Sequence, residues 1–157
     1  MIFLSHRGNI DGQNPKKENS ISYINDALNL GFNVEVDVWY DKTFWLGHDE
    51  PQYKINEAFL LNNRLWCHAK NTESLYELSK LNTIYFWHQK DDYTLVSNGI
   101  LWAYPGSKLN EKCVCVLPEI TTQDINLLYN SYGICSDQIN YYKSYYENSY
   151  SLLRSPE

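Results

Sequence analysis

The sequence predicts a single α/β domain built on about seven parallel strands. Short runs rich in β-branched and aromatic residues alternate with segments whose apolar residues recur at helical spacing, an order typical of strand–helix–strand units. The length of 157 residues suits one domain with a hydrophobic core. No break in composition marks a boundary, so we expect one domain over residues 1–157.

Seven runs have the length and composition of strands. The clearest covers residues 33–39, where three valines alternate with other residues and therefore share one face of the sheet. Asp41 and Lys42 then predict a turn into a short hairpin that returns through residues 44–46. In chain order, the predicted strands are residues 2–7, 33–39, 65–70, 83–89, 100–104, 114–117 and 133–135.

Helices are predicted where apolar residues recur every three or four positions. The first follows Asn19 or Ser20, either of which is a suitable N-cap, and ends at Gly31, a common residue after a helix. Thr121 or Thr122 is a suitable cap for a later helix. The predicted helices are residues 21–30, 72–81 and 122–129 and a tyrosine-rich tail.

Composition and charge exclude several classes of function. Thirteen Lys and Arg against 19 Asp and Glu give a net charge of −6, and without a basic stripe we expect no nucleic-acid partner. No apolar run approaches the ~18 residues of a membrane span, and no signal-peptide pattern opens the chain. We therefore expect a cytoplasmic protein with no membrane span.

The four cysteines lie inside apolar, strand-like runs: Cys67, Cys113, Cys115 and Cys135. This placement favours reduced thiols in the core over a framework of disulfides. A zinc site through Cys113 and Cys115 is the alternative, but no second close pair of cysteines accompanies them.

Ionisable side chains are predicted at the ends of successive strands. Glu35 and Asp37 lie on one face of their strand, where their like charges repel unless a cation lies between them. Two carboxylates suit a hard divalent ion such as Mg²⁺ or Ca²⁺. His68 and Lys70 share a face of the next strand; we expect His68 to complete the metal site and Lys70 to face an anionic substrate.

His6, Arg7 and His48 supply the remaining chemistry. Arg7 is suited to bidentate contact with a phosphate. His6 and His48 form a natural acid/base pair because unperturbed imidazole titrates near pH ~6.5. Taken singly, each residue is also compatible with ordinary packing or a solvated strand face, and it is their recurrence at successive strand ends that favours one common site.

Four of these segments resemble the opening of the glycerophosphodiester phosphodiesterase family. The family has His-Arg-Gly, Glu-Asn-Ser/Thr, Glu-x-Asp-Val and His-Asp in this order. The corresponding segments here are His6-Arg7-Gly8, Glu18-Asn19-Ser20, Glu35-Val36-Asp37-Val38 and His48-Asp49. Beyond them the likeness is thin, although the stretch from Gly133 to Asp137 resembles the family's final strand.

The resemblance implies a TIM-type barrel of the phospholipase-C-like (PLC-like) class, with its site at the carboxyl ends of the strands. The implied roles are catalysis by His6 and His48, metal ligation by Glu35 and Asp37, and phosphate binding by Arg7. The family's third strand carries Glu-x-Lys, and the related sphingomyelinase D enzymes carry Asp-x-Lys, where this chain has His68-Ala69-Lys70. Because an imidazole replaces this carboxylate, Mn²⁺ and Zn²⁺ become candidate metals beside Mg²⁺ and Ca²⁺.

The chain is short for such a barrel, which typically needs about 250 residues. We therefore expect a compact or incomplete TIM-type (β/α) barrel of about seven parallel strands that lacks several helices. Closing it requires the tyrosine-rich tail or a second subunit, so a homo-oligomer is one expected form. Residues expected near the substrate pocket are His88, Trp102, Tyr104 and Glu119.

The expected function is that of a metal-dependent phosphodiesterase, a phosphoric diester hydrolase with two acid/base histidines. The expected substrate is a glycerophosphodiester or a similar small-molecule or glycan phosphodiester. The attacking group is either water or a neighbouring hydroxyl of the substrate, which gives a cyclic phosphate first. The alternative is a non-catalytic barrel that binds a phosphorylated or sugar ligand.

Overall fold

The computed structural model describes residues 1–121 and 124–152, which form ten strands and five helices. The strands are β1 (Ile2–His6), β2 (Asn33–Tyr40), β3 (Phe44–Leu46), β4 (Tyr53–Lys54), β5 (Leu65–Ala69), β6 (Ile84–Phe86), β7 (Tyr93–Leu95), β8 (Leu101–Ala103), β9 (Cys113–Val116) and β10 (Gly133–Ser136). The helices are α1 (Ile21–Asn29), α2 (Glu57–Leu60), α3 (Thr72–Leu78), α4 (Ile125–Leu128) and α5 (Ile139–Leu152), and a 3-10 turn covers Pro118–Ile120.

All ten strands belong to one mixed sheet. Its main path runs β4-β3-β2-β1-β10-β9-β8-β7, while β5 pairs with β2 and β6 pairs with β5. The pairs along β6-β5-β2-β1-β10-β9-β8 are parallel, whereas β3, β4 and β7 join by antiparallel pairing. Within the described residues no ladder joins β6 to β7 or β8, so the sheet is a curled half-barrel, open on that side.

The prediction of a TIM-type, PLC-like barrel with about seven parallel strands is wrong. The described part of the sheet has ten strands of mixed direction, and the described helices cover only 26% of the chain. The connections explain the difference, because a parallel crossover helix needs a dozen or more residues. From β6 to β9 the links are too short for helices, and the chain folds back through β7 as an antiparallel hairpin with β8 instead.

Several local predictions are confirmed. The hairpin after β2 is present, with β2 and β3 antiparallel and Lys42 in the left-handed region at the turn. The first helix follows Ser20 and ends just before Gly31, whose φ of +88° favours glycine. The helix predicted over residues 122–129 is shorter, with Asp124 as its N-cap; the proposed cap Thr122 lies outside the described residues.

The alternation of side chains divides the core into layers. Outside the curl, Val34, Val36 and Val38 pack with the buried face of α1. Inside it, Trp66 and Phe86 pack with apolar residues of β1, β8, β9 and β10. Apolar residues within the strands therefore fill the interior. Polar side chains lie at the edge of the sheet where the parallel strands have their carboxyl ends, here called the rim. On the outer side, α5 packs against β1 and β10.

The predicted state of the cysteines is confirmed. All four are buried, and none of them forms a disulfide within the described residues. Burial raises the pKa of the Cys67 thiol to about 12. Cys113 and Cys115 belong to no group of three potential metal ligands in the described part of the chain, which argues against the zinc alternative. None of the described helices is both long and apolar enough to cross a membrane.

Candidate active site

The register of the parallel strands gathers the predicted site residues at one rim of the sheet. His6 at the end of β1 lies beside Glu35 of β2. Two residues further along β2, Asp37 lies beside His68 of β5. Because adjacent parallel strands end at the same edge, residues far apart in the sequence become neighbours here.

Glu35, Asp37 and His68 form a group that could hold a metal ion. Each offers one ligand atom, and these atoms all lie within 4.8 Å of one another. Glu35 is 2% exposed and Asp37 is fully buried, so two carboxylates lie side by side in the interior, where an unpaired charge is costly. Among the described residues, Glu35 Oε2 receives no hydrogen bond, and Asp37 Oδ1 faces the side chains of His68 and Lys70. A carboxylate oxygen without a donor, next to a second carboxylate, fits a cation.

The hydrogen bonds of His68 orient its ring as a metal ligand requires. Its Nε2 donates to the carbonyl oxygen of His88 at 3.0 Å, and its ring stacks on Phe86 with centroids 5.0 Å apart. Nδ1 therefore faces the carboxylates, 3.2 Å from Asp37 Oδ1 and 3.7 Å from Glu35 Oε1. Metal-bound histidines typically donate their other N–H to a backbone carbonyl in this way.

The neighbouring carboxylates also determine how His68 titrates. Burial disfavours the charged ring, but Asp37 and Glu35 outweigh it and raise the pKa of His68 to about 9. Without a cation, a proton on Nδ1 balances part of the negative charge of the two carboxylates. A bound divalent ion would take the place of that proton.

Asp37 is held from several sides. The side chain of Asn19 donates to Asp37 Oδ2 at 2.9 Å and accepts from the Asp37 backbone N–H at 3.0 Å. Arg7 Nε lies 2.8 Å from Oδ2, and Lys70 Nζ lies 3.3 Å from Oδ1. Burial opposes ionisation, yet His68, Arg7 and Lys70 hold the pKa of Asp37 well below its usual range.

Arg7 has an unusual backbone conformation at the end of β1. Its φ is +54°, a region that non-glycine residues enter mainly where surrounding structure enforces it. The guanidinium bridges Asp37 and Glu18, with NH1 3.3 Å from Glu18 Oε2. Burial works against the charge, but Asp37 and Glu35 raise the pKa of Arg7. The residue predicted to bind phosphate is thus a fixed cation beside the candidate metal ligands.

His6 is paired with a carboxylate that the sequence analysis did not assign to the site. Asp137 Oδ1 lies 2.7 Å from His6 Nδ1, which leaves Nε2 on the side of Glu35, 3.8 Å from Oε2. Asp137 also accepts hydrogen bonds from Asn9 and Gln13. Burial lowers the pKa of His6, whereas Asp137 and Glu35 raise it, with a net upward shift.

Glu119 supports Asp137 and is not among the described residues that line the cavity beside His6, Glu35 and His68, contrary to the expectation that it lies near the substrate. Its Oε1 accepts from the hydroxyl of Ser136 and from the backbone N–H of Asp137, each at 2.9 Å. The result is a relay of fixed groups that orients the imidazole of His6, since carboxylates that accept from Nδ1 determine the tautomer of a histidine.

His48 lies on a loop whose backbone conformation depends on Gly47. Its Nδ1 is 2.7 Å from Asp49 Oδ1, and its side chain is 43% exposed. The preceding Gly47 has a φ of +151° and accepts a hydrogen bond from Trp39 Nε1 at 2.7 Å. A Cβ at this position would overlap the carbonyl oxygen of Glu50.

We predict that Gly47→Ala destabilises the protein and displaces His48. The overlap is with backbone, so the loop has to move, and we expect a loss of about 2–4 kcal/mol in the free energy of unfolding. Urea denaturation followed by tryptophan fluorescence measures this loss. Gly31→Ala is the matched control, because Gly31 also has a positive φ but its Cβ would meet open space. Equal losses in the two variants would contradict the prediction.

Six of the seven predicted site residues line one cavity of about 460 Å³. Asp37 is the seventh; it lies behind the wall and contacts Arg7, Lys70 and His68. The expected pocket residues His88, Trp102 and Tyr104 also line this cavity. The six are His6, Arg7, Glu35, His48, His68 and Lys70.

Three groups have roles that the sequence pattern did not reveal. Asn19 and Glu18 belong to a quoted motif but received no function, although they bind Asp37 and Arg7. Asp137 follows the last predicted strand, and its place after a strand end was a signal for the same rim.

Searches among protein-family models, curated proteins and solved structures found no match to this chain.

Proposed function

We propose that the protein is a metal-dependent phosphodiesterase, with Glu35, Asp37 and His68 as metal ligands and His6 and His48 as the acid/base pair. The observation that carries the proposal is the lining of the cavity. The imidazoles of His6 and His48, two cationic side chains, and the candidate ligands Glu35 and His68 line the same space, with Asp37 directly behind it. Few activities other than phosphate chemistry call for a cation site, fixed positive side chains and two histidines together.

The donor set fits a divalent ion of the Mg²⁺, Mn²⁺ or Ca²⁺ type, while the imidazole keeps Zn²⁺ among the metals to be tested. Such an ion, when bound, would neutralise charge on a non-bridging phosphate oxygen. Arg7 and Lys70 add fixed positive charge at the same place. Both are anchored through Asp37, so they would bind the phosphate with little further ordering.

The two histidines would move the protons. One takes the proton of the attacking hydroxyl while a new P–O bond forms, and the other protonates the leaving alkoxide as its P–O bond breaks. With water as the attacker, the products are an alcohol and a phosphomonoester. With a neighbouring substrate hydroxyl, the first product is a cyclic phosphate.

A metal-by-substrate assay of the purified chain tests this function. Bis(p-nitrophenyl) phosphate and glycerophosphodiesters are incubated with Mg²⁺, Ca²⁺, Mn²⁺ or Zn²⁺, with EDTA as the metal-free control. We expect cleavage of diesters in at least one metal and none in EDTA, with the monoester p-nitrophenyl phosphate left intact. Metal binding without turnover of any diester would contradict the proposal and support the alternative, a ligand-binding protein.

A further inference from the structure

We propose that the aromatic side of the cavity is a subsite for a polyhydroxylated ring, a sugar or cyclitol, carried by one alcohol of the diester. This inference rests on the proposed function and specifies its substrate class. The aromatic side is the part of the lining formed by Trp87, His88, Trp102 and Tyr104. It occupies the same rim as the catalytic residues, because Trp87 follows β6 and Tyr104 follows β8.

The aromatic side presents an open ring face. Tyr104 is 49% exposed, and its ring stacks on that of His88 with centroids 5.1 Å apart and planes 20° from parallel. A large aromatic residue exposed inside a concave site offers contact area that a ligand can cover. Tyr104 stacked on His88 therefore forms a platform whose outer ring face a ligand can cover.

The platform is fixed in place and lies next to the metal ligands. His88 Nε2 donates to the carbonyl oxygen of Asp91 at 2.6 Å, and the carbonyl of His88 accepts from His68 at 3.0 Å. Trp102 is buried against Phe86, with ring centroids 4.6 Å apart. A preorganised surface of this kind loses little entropy when a ligand binds.

The chemistry of the lining favours a neutral ring over a cationic headgroup. A sugar or cyclitol has C–H groups that can lie on an aromatic face and hydroxyls that reach side-chain amides, and Gln13 and Gln89 line this cavity. A quaternary ammonium group would also stack on aromatic rings. The aromatic side, however, contributes no carboxylate to this described cavity, so a cationic headgroup would lack a counter-charge there.

A second, smaller cavity has room for the other alcohol. It measures about 250 Å³ and shares Arg7, Gln13 and His48 with the first. Its remaining lining is free of aromatic side chains: Pro15, Glu18, Asn19, Asp49 and Gln52. A phosphate at the shared residues would thus direct a ring to the aromatic side and a small polyol to the polar side.

Three diesters that differ in one alcohol test the inference: glycerophosphoinositol, glycerophosphocholine and glycerophosphoglycerol. With the metal that supports turnover, we expect the highest kcat/KM for glycerophosphoinositol. Tyr104→Ala should lower the ratio of kcat/KM for the inositol diester to that for the glycerol diester about tenfold. Tyr76→Ala, a tyrosine exposed on α3 outside both cavities, is the matched control and should keep the wild-type ratio.

A binding experiment separates this inference from the proposed function. In EDTA, saturation-transfer NMR should show contact between the protein and the ring protons of glycerophosphoinositol, and Tyr104→Ala should weaken it whereas Tyr76→Ala should not. Ring contact without turnover in any metal would defeat the proposed function and leave the subsite standing. A higher kcat/KM for glycerophosphocholine than for glycerophosphoinositol would overturn the subsite. So would a Tyr104→Ala variant that keeps both the wild-type ratio of kcat/KM values and the wild-type NMR contact with the ring protons.

Discussion

His6→Ala is expected to lower phosphodiester turnover about a thousandfold, because general acid/base catalysis contributes about 10²–10⁴ in rate. His6 is buried. Asp137 anchors its Nδ1, which leaves Nε2 on the side of the cavity where Glu35 lies. The measurement is kcat with a saturating diester in the best metal, for wild type and variant.

Two controls make the result for His6→Ala interpretable. The variant should retain the thermal stabilisation that a metal gives, which shows that the fold and the ligand group survive. Added imidazole should restore part of the turnover by entering the space that the side chain vacates. Turnover at the wild-type level in a folded His6→Ala protein would remove His6 from the mechanism.

The second large effect concerns the proposed metal ligands. We expect a saturating divalent ion to raise the Tm of the wild-type protein by about 5–10 °C, since ligand at a hundredfold excess over Kd stabilises by about 2.7 kcal/mol. Glu35→Gln should abolish this increase and the metal-dependent activity. The substitution keeps the shape of the side chain but removes its negative charge. Glu35 is 2% exposed, and its Oε2 receives no hydrogen bond among the described residues.

Glu77→Gln is the matched control for Glu35→Gln. Glu77 lies on α3 and pairs with Lys80 at the surface, so its loss should leave the metal-dependent increase in Tm unchanged. Differential scanning fluorimetry with Mg²⁺, Mn²⁺, Ca²⁺ and Zn²⁺, each with an EDTA reversal, makes the comparison. An equal increase in Tm for wild type and Glu35→Gln would exclude Glu35 as a ligand.

Much of the candidate site could be predicted from the sequence, because strand periodicity is a local property. Alternation along β2 places Glu35 and Asp37 on one face, away from the valines of the outer core. The carboxyl ends of parallel strands share a rim, so His6 and His68 could be expected beside them. Neither inference requires knowing how the sheet closes.

The overall architecture could not be obtained in the same way. Whether a segment forms a parallel strand or folds back as a hairpin depends on the length and geometry of its connection, and β3, β4 and β7 are antiparallel additions. The partners of the site residues were also hidden. Asp137 meets His6 across 131 positions of sequence, and only the tertiary structure reveals such a pair.

The bond from His68 to the main-chain carbonyl of residue 88 has an evolutionary consequence. A backbone acceptor is present whatever side chain the codon specifies, so mutation at position 88 can replace the ring while the imidazole of His68 keeps its orientation. The ring of His88, by contrast, belongs to the platform shared with Tyr104. If the proposed subsite is correct, its ligand preference can therefore change at this position while the candidate metal centre keeps its geometry.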